Sequence, residues 1–211
     1  MKKLVVLLLA SIVASSAFAV VDPDPNGIGI YFDLEANVLE LDIAPSVPFN
    51  AYLILTNTTA PAVSAYEVGY LNVVPAGSEA LVFRLASTIA NGVVTGLDLG
   101  DSSDILAGDH IVGLAAPLVT SPATVLHAWQ YMVLAPTVSI EMYIGAASQS
   151  SIPGTQPVVL DADSSTLFQA AQSTGGADMP VAGVNTEPGV IPVGVEEASF
   201  EIGRASCRER E

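Results

Sequence analysis

Apolar and polar residues alternate with a period of two along most of this chain, and this alternation limits the fold more than any other feature. Side chains on a β-strand point to opposite faces in turn, so the pattern indicates half-buried strands. Turn-forming clusters such as TNTTAP and VPAGSE separate the alternating segments. The predicted strands are residues 28–34, 39–43, 49–55, 66–70, 81–85, 110–115, 124–134, 138–144 and 157–160.

A helical period does not persist over three turns anywhere between these strands. At most, residues 166–171 form one short helix. Parallel neighbouring strands need long crossover connections, which are usually helical, so a parallel α/β architecture is excluded. The sequence therefore predicts an all-β fold, a single antiparallel β-sandwich or jelly roll of about nine strands.

Both ends of the chain are interpreted as additions to this domain. Lys2 and Lys3 precede an apolar run over residues 4–13 and a small-residue cleavage site, which predicts a signal peptide over residues 1–19. Such a segment implies a secreted, periplasmic or cell-surface protein, with no membrane span in the mature chain. The run EIGRASCRER resembles a translated sequencing adapter, so residues 201–211 are interpreted as an artefact.

Three regions remain between the predicted signal peptide and the predicted artefact. Residues 20–26 form a leader, residues 27–171 the β-sandwich domain, and residues 172–200 a tail or edge segment rich in Gly and Pro.

The charge of residues 20–200 excludes one class of partner. Of the 22 acidic residues of the chain, only Glu201, Glu209 and Glu211 lie outside this region, whereas Arg84 is its single basic residue. Binding to nucleic acid depends on Lys and Arg that neutralise phosphates, so nucleic acid is excluded as a partner. The region also contains no Cys, so its stability depends on an apolar core without disulfides.

Several predicted strands together resemble the cohesin family. They are FNAYLILTN, VSAYEVGY, HIVGLAAPL and TVLHAWQYMVL, within a stretch of roughly 27–162. Secreted bacterial β-sandwich proteins have similar segments, and an Ig-like sandwich fits the same pattern. The resemblance implies a cohesin-like sandwich with a non-catalytic role, because cohesins bind dockerin modules and display partners outside the cell.

The stretch DPDPNGIGIYFD has the ligand types of a calcium loop. Asp22, Asp24 and Asn26 take alternate positions, and Asp33 takes the twelfth. However, residues 28–34 also read as a strand, which rises about 3.3 Å per residue and would carry Asp33 roughly 20 Å from Gly27. A leader followed by a strand is therefore preferred over the loop.

A second acidic cluster, LDLGDSSDILAGD, is the candidate metal site. Carboxylates gathered in a loop suit calcium, which prefers oxygen ligands. The alternative is a solvated loop in which Asp and Ser form turns. The candidate ligands are Asp98, Asp101, Asp104 and Asp109, and Asp161 with Asp163 forms a weaker case.

The segment HAWQY is the candidate ligand-binding strand. Alternation places His127, Trp129 and Tyr131 on one face, and Leu126 with Ala128 on the other. If exposed, this aromatic row could stack on sugar rings or grip a partner. The alternative is a central strand with Trp129 in the core and its N–H satisfied.

The sequence predicts no enzyme. It contains no G-x-S-x-G, no H-E-x-x-H and no phosphate-binding loop, and its two histidines, His110 and His127, lie in predicted strands. The first hypothesis is a secreted, non-catalytic module that binds an extracellular protein or surface polymer. A carbohydrate-binding module and a small carboxylate hydrolase are the alternatives.

Overall fold

The structure is a computed structural model that describes residues 24–191, so the predicted signal peptide and adapter lie outside the described residues. Two single-turn 3-10 helices, Glu79–Leu81 and Ala90–Gly92, flank one of its strands. No helix of the described residues is long and apolar enough to span a membrane. The strands are β1 Gly27–Tyr31, β2 Glu40–Leu41, β3 Phe49–Thr56, β4 Ala62–Val73, β5 Val82–Ile89, β6 Gly96–Asp98, β7 Ala107–Val119, β8 Ala123–Val133, β9 Ile140–Gly145, β10 Val158–Asp161, β11 Leu167–Gln169, β12 Ala171–Gln172 and β13 Ala182–Val184.

The strands form two sheets that pack face to face. Sheet A has five strands in the order β12-β1-β3-β8-β5. Sheet B has eight, in the order β11-β10-β4-β9-β13-β2, with β7 on the other side of β4 and β6 beside β7. Most pairings are antiparallel, and two, β1 with β12 and β13 with β2, are parallel. The prediction of a β-sandwich is confirmed.

All nine predicted segments contain strands, and the four additional strands have two or three residues each. The predicted helix over residues 166–171 is wrong, because β11 and β12 occupy it. β11 forms a hairpin with β10, in which Leu160 lies opposite Leu167. Asp161 organises the turn of this hairpin by accepting hydrogen bonds from the backbone N–H of Asp163 and the hydroxyl of Ser164.

The main core lies between the sheets. Its largest members include Ile30, Leu53, Tyr66, Trp129 and Met142, each 2% exposed or less. A smaller cluster covers part of the opposite face of sheet A, and it consists of Tyr31, Ala36, Leu39, Ile54 and Ile191.

Part of the Gly/Pro-rich segment is built into sheet B. β13 lies between β9 and β2, and Val181, Ala182 and Val184 are fully buried. This stretch is therefore interior to the sheet and not at its edge. Asn185 extends the connection, because its side-chain oxygen accepts a hydrogen bond from the backbone N–H of Ile43 at 2.8 Å.

We predict that Val184→Ala lowers the free energy of unfolding by about 2 kcal/mol, since it removes two buried carbons and leaves a cavity. Urea denaturation measures the change. Val119→Ala, at a side chain that is 78% exposed, is the matched control and should have almost no effect. Equal effects of the two substitutions would contradict the placement of residues 181–184 in the core.

Candidate functional site

The predicted aromatic row is buried. β8 is paired on both sides, with β3 and with β5. His127, Trp129 and Tyr131 share one face as predicted, but that face points into the core and each residue is only 2% exposed. An exposed stacking platform for sugar rings is therefore not formed.

One face assignment on β8 is wrong. Leu126 was expected opposite His127, yet it belongs to the same core cluster. The pairing of β8 with β3 explains the difference, because the register shifts between Leu53 and Ile54 and leaves Leu126 without an opposite residue. A β-bulge of this kind interrupts the strict alternation of faces.

Trp129 begins a chain of hydrogen bonds that crosses from sheet A to sheet B. Its indole N–H donates to Nε2 of His110 at 3.2 Å. Because Nε2 accepts, the proton of His110 lies on Nδ1, which donates to Asp98 Oδ2 at 2.6 Å. The other oxygen of Asp98 accepts from the backbone N–H groups of Gly100 and Ile111, both at 3.0 Å.

Asp98 is therefore a structural anion and not a free ligand. Burial of the carboxyl group acts to raise its pKa, but the hydrogen bonds from His110 and the backbone outweigh this effect and hold the pKa of Asp98 below its usual value. Asp98 is the last residue of β6, which pairs with β7. Its carboxylate therefore lies beside His110 of β7 and fixes the orientation of the imidazole ring.

His127 forms a second arm of the same cluster. Its ring packs against that of His110, with 4.0 Å between the ring centroids and 31° between the ring planes. Nδ1 lies 2.8 Å from the hydroxyl of Tyr66, and Nε2 lies 2.7 Å from the hydroxyl of Ser87. Burial, together with the neighbouring His110, lowers the pKa of His127 to about 3, so the ring is neutral at physiological pH.

The contact between Ser87 and His127 resembles a nucleophile with its base, but its chemistry is unsuitable. A general base is effective when its pKa lies near the working pH, and that of His127 lies far below it. The group on Nδ1 is the phenol of Tyr66, whose pKa is raised by burial and by the charge of Asp98, and not a carboxylate that could stabilise an imidazolium. The cluster joins the sheets and does not form a catalytic dyad.

The carboxylates of the second acidic cluster serve separate turns. Asp101 accepts from the backbone N–H and hydroxyl of Ser103, and Asp104 accepts from the backbone N–H of Leu106. Asp109 accepts from the backbone N–H and hydroxyl of Ser148, on a different loop.

These acidic side chains are not gathered into a metal site. Within residues 24–191, no group of three or more His, Cys, Asp or Glu side chains is arranged to hold a metal ion. The pKa values of Asp98, Asp101 and Asp161 are all below the usual value, so none of the three supplies the protonated acid that a carboxylate hydrolase needs.

The residues of the opening motif are also separated. Asn26 accepts hydrogen bonds from the hydroxyl of Thr58 and the backbone N–H of Thr59, which ties the start of β1 to the turn after β3. Asp33 accepts from the backbone N–H groups of Asn37 and Val38 and closes the turn after β1. Asp22 lies outside the described residues.

The residues that the sequence analysis missed surround Arg84, the only Lys or Arg among the described residues. Its guanidinium donates to the hydroxyl of Tyr70 at 2.9 Å and to the backbone carbonyl of Ser102. The hydroxyl of Tyr70 donates to the carbonyl of Asp104, and the amide of Asn72 donates to that of Ile105. These bonds fix loop 99–106 on the sandwich. The sequence does offer one signal for this site, because Arg84 is the single basic residue among the many acidic residues of residues 20–200.

An uncharged surface lies on the side of β3, β8 and β5 that faces away from the core. Opposite residues in antiparallel strands share a face, so Phe83 lies beside Met132, and Asn50 lies beside Gln130. Phe83 is 41% exposed, Asn50 is exposed, and Tyr52, Gln130 and Met132 are half-buried. We call these five residues the outer face of sheet A.

Comparisons with known proteins support the fold. No family model matches the chain, and no curated protein matches it. A type II cohesin domain from the cellulosome of Acetivibrio cellulolyticus is similar, with a TM-score of 0.51, 13% identity and coverage of 77% of this chain and 96% of that one. A scaffoldin B cohesin of the same organism, solved with a dockerin, has a TM-score of 0.49, 12% identity and coverage of 76% and 98%. The chain has a cohesin-like β-sandwich fold.

We predict that His127 makes stability depend on pH. The unfolded chain binds a proton on this residue below about pH 6.5, whereas the folded chain does not until about pH 3. Stability is therefore fully present above pH 6.5 and falls by up to about 1.4 kcal/mol per pH unit as the pH is lowered through this window.

Urea denaturation between pH 4.5 and 7.5 tests this dependence, because the carboxylates contribute mainly at lower pH. His127→Gln removes the titration and should have a shallower slope between pH 4.5 and 6.5 than the parent chain. Parallel slopes in the two proteins would contradict the buried, neutral state of His127.

We predict that millimolar calcium does not raise the melting temperature. The carboxylates of Asp101 and Asp104 are turned toward their own backbone, so the described residues present no converging oxygen ligands. A calcium concentration 100-fold above the dissociation constant would add about 2.7 kcal/mol to a chain with a real site. A rise in calcium that is absent in magnesium and abolished by Asp101→Ala with Asp104→Ala would contradict this interpretation.

Proposed function

We propose that this protein is a secreted, non-catalytic binding module that recognises a partner protein of the dockerin class outside the cytoplasm. The outer face of sheet A is the surface through which it binds. Secretion rests on the sequence of residues 1–19, and the role of a binding module rests on the fold and on this surface.

The observation that carries the proposal is an uncharged, partly apolar face on a strongly acidic protein. The chain has a formal net charge of −16, yet none of the five residues of the outer face is charged. Cores of protein interfaces are depleted in charged residues and enriched in aromatic residues and Met, which Tyr52, Phe83 and Met132 supply. The neighbouring part of the same sheet face is covered by Ile191 and by Ala36 and Leu39, and Tyr52 packs against this cover at the border of the open part.

A protein partner is favoured over a polysaccharide. The aromatic row predicted to stack on sugar rings, Trp129 and Tyr131 with His127, is buried, and Phe83 is the one well-exposed ring of the outer face. The resemblance of the strand sequences to cohesins indicates dockerin modules as the partner class, and the cohesin-like fold fits a module of this kind.

We predict that the full chain binds at least one member of a panel of dockerin modules, and that Asn50→Arg weakens this binding at least tenfold. Asn50 is exposed on the outer face, opposite Gln130 of the central strand β8, so a long charged side chain hinders close packing there while leaving the core intact. Isothermal titration calorimetry measures the affinity.

Val119→Arg is the matched control. Val119 is 78% exposed on β7 of sheet B, so the same charge is added away from the outer face and binding should be unchanged. The proposal is wrong in its partner class if no dockerin binds, and wrong in its surface if both substitutions weaken binding equally.

A further inference from the structure

Within residues 24–191, β5 is a long sheet edge that no other strand covers. The other terminal strands of the two sheets, β12, β11, β2 and β6, have two or three residues each, whereas β5 has eight. β5 pairs with β8 on one side, and among the described residues no strand pairs with its other side. A free edge presents backbone N–H and C=O groups that are complementary to another strand.

The side chains of β5 favour strand pairing. Phe83 and Leu85 are 41% and 47% exposed, and Ala86, Ser87 and Thr88 are also exposed. The strand is rich in β-branched and aromatic residues, and it contains neither Lys nor Pro, which commonly protect such edges. The bulge between Arg84 and Ala86 is its one protective device.

The only charge on β5 does not protect the edge either. Arg84 shares the inward face with Tyr131, and its guanidinium is bound to the hydroxyl of Tyr70 and the carbonyl of Ser102. The guanidinium is thus held on the loop side of the strand, where it fixes loop 99–106 and does not repel an incoming chain.

The charges that surround β5 are negative and indicate the chemistry of its partner. Glu79 lies in the turn before β5, and Asp101 and Asp104 lie on the loop that Arg84 holds beside it, with all three exposed. A second copy of this chain would bring another net charge of −16 and be repelled. A basic segment is attracted to the same surroundings.

We propose that the free edge of β5 accepts an extended basic segment of a partner protein as an additional strand of sheet A. Main-chain hydrogen bonds along β5 supply affinity, and Lys or Arg residues of the segment lie near Asp101 and Asp104. This edge adjoins the outer face of sheet A, with Phe83 common to both, but it binds through backbone groups, so strand addition does not depend on binding to a dockerin.

The first experiment titrates the full chain with a defined probe, an eight-residue peptide of alternating Lys and Val. Hydrogen exchange followed by NMR reports on each backbone amide. The expected result is at least tenfold slower exchange for amides of β5, without a comparable change in β3. Two control peptides are used, one with Glu in place of Lys and one with N-methylated Val residues that cannot complete the ladder, and both should bind at least tenfold more weakly.

Two edge substitutions locate the binding. Leu85→Lys and Thr88→Lys each add a charge to β5 that repels the basic peptide, and the second keeps the test valid if the first destabilises the chain. Val119→Lys adds the same charge on sheet B and should leave peptide binding unchanged, and melting temperatures confirm that each variant is folded.

Several results would overturn the proposal. They are the absence of peptide binding at millimolar concentration, equal binding of the N-methylated peptide, or binding without protection of β5. Protection of β5 that increases with protein concentration in the absence of peptide would instead identify a second copy as the occupant, which analytical ultracentrifugation would reveal as a dimer. Loss of dockerin binding in Asn50→Arg with normal peptide binding would leave strand addition intact.

Discussion

The closely packed pair of imidazoles between the sheets is the interaction on which the rest of this structure depends. His127 belongs to sheet A, and hydrogen bonds with Ser87 and Tyr66 hold its ring in one orientation. His110 belongs to sheet B, and hydrogen bonds with Asp98 and Trp129 hold its ring in the same way. An unpaired polar group in such a core would cost free energy, but here every ring nitrogen has a partner. Residues 20–200 contain no Cys, so this network and the apolar core hold the two sheets together without a disulfide.

The same region determines what the surface presents. Arg84 precedes Ser87, the β5 residue that contacts His127, and binds loop 99–106, so the same strand contacts the cluster and orients the acidic loop. The carboxylates of Asp101 and Asp104 accept hydrogen bonds from backbone N–H groups of that loop. They contribute negative charge to the surface beside β5. An acidic margin beside an uncharged face is the result.

The sequence predicts the long strands well because alternating burial, as in β4 and β9, is matched by alternating apolar and polar residues. It fails for β6, β11, β12 and β13, because two or three residues are too few to show a period. Residues 166–171 look helical locally, yet pairing of Leu167 with Leu160 determines their structure. The candidate sites were harder still, since alternation gives the face of His127 but not the contacts with Ser87 and His110 across the sandwich.

The position of β13 has a consequence for the order in which the chain folds. β2 pairs with β13, and Ile43 bonds Asn185 about 140 residues further along the chain. β2 therefore has no sheet partner until nearly all of the described chain has been synthesised. β9 can pair with β4 earlier, but its other edge also waits for β13. Contacts of such long sequence separation slow folding, so the sandwich completes sheet B late. A chain with this topology leaves sheet B incomplete until residues 182–185 have been synthesised.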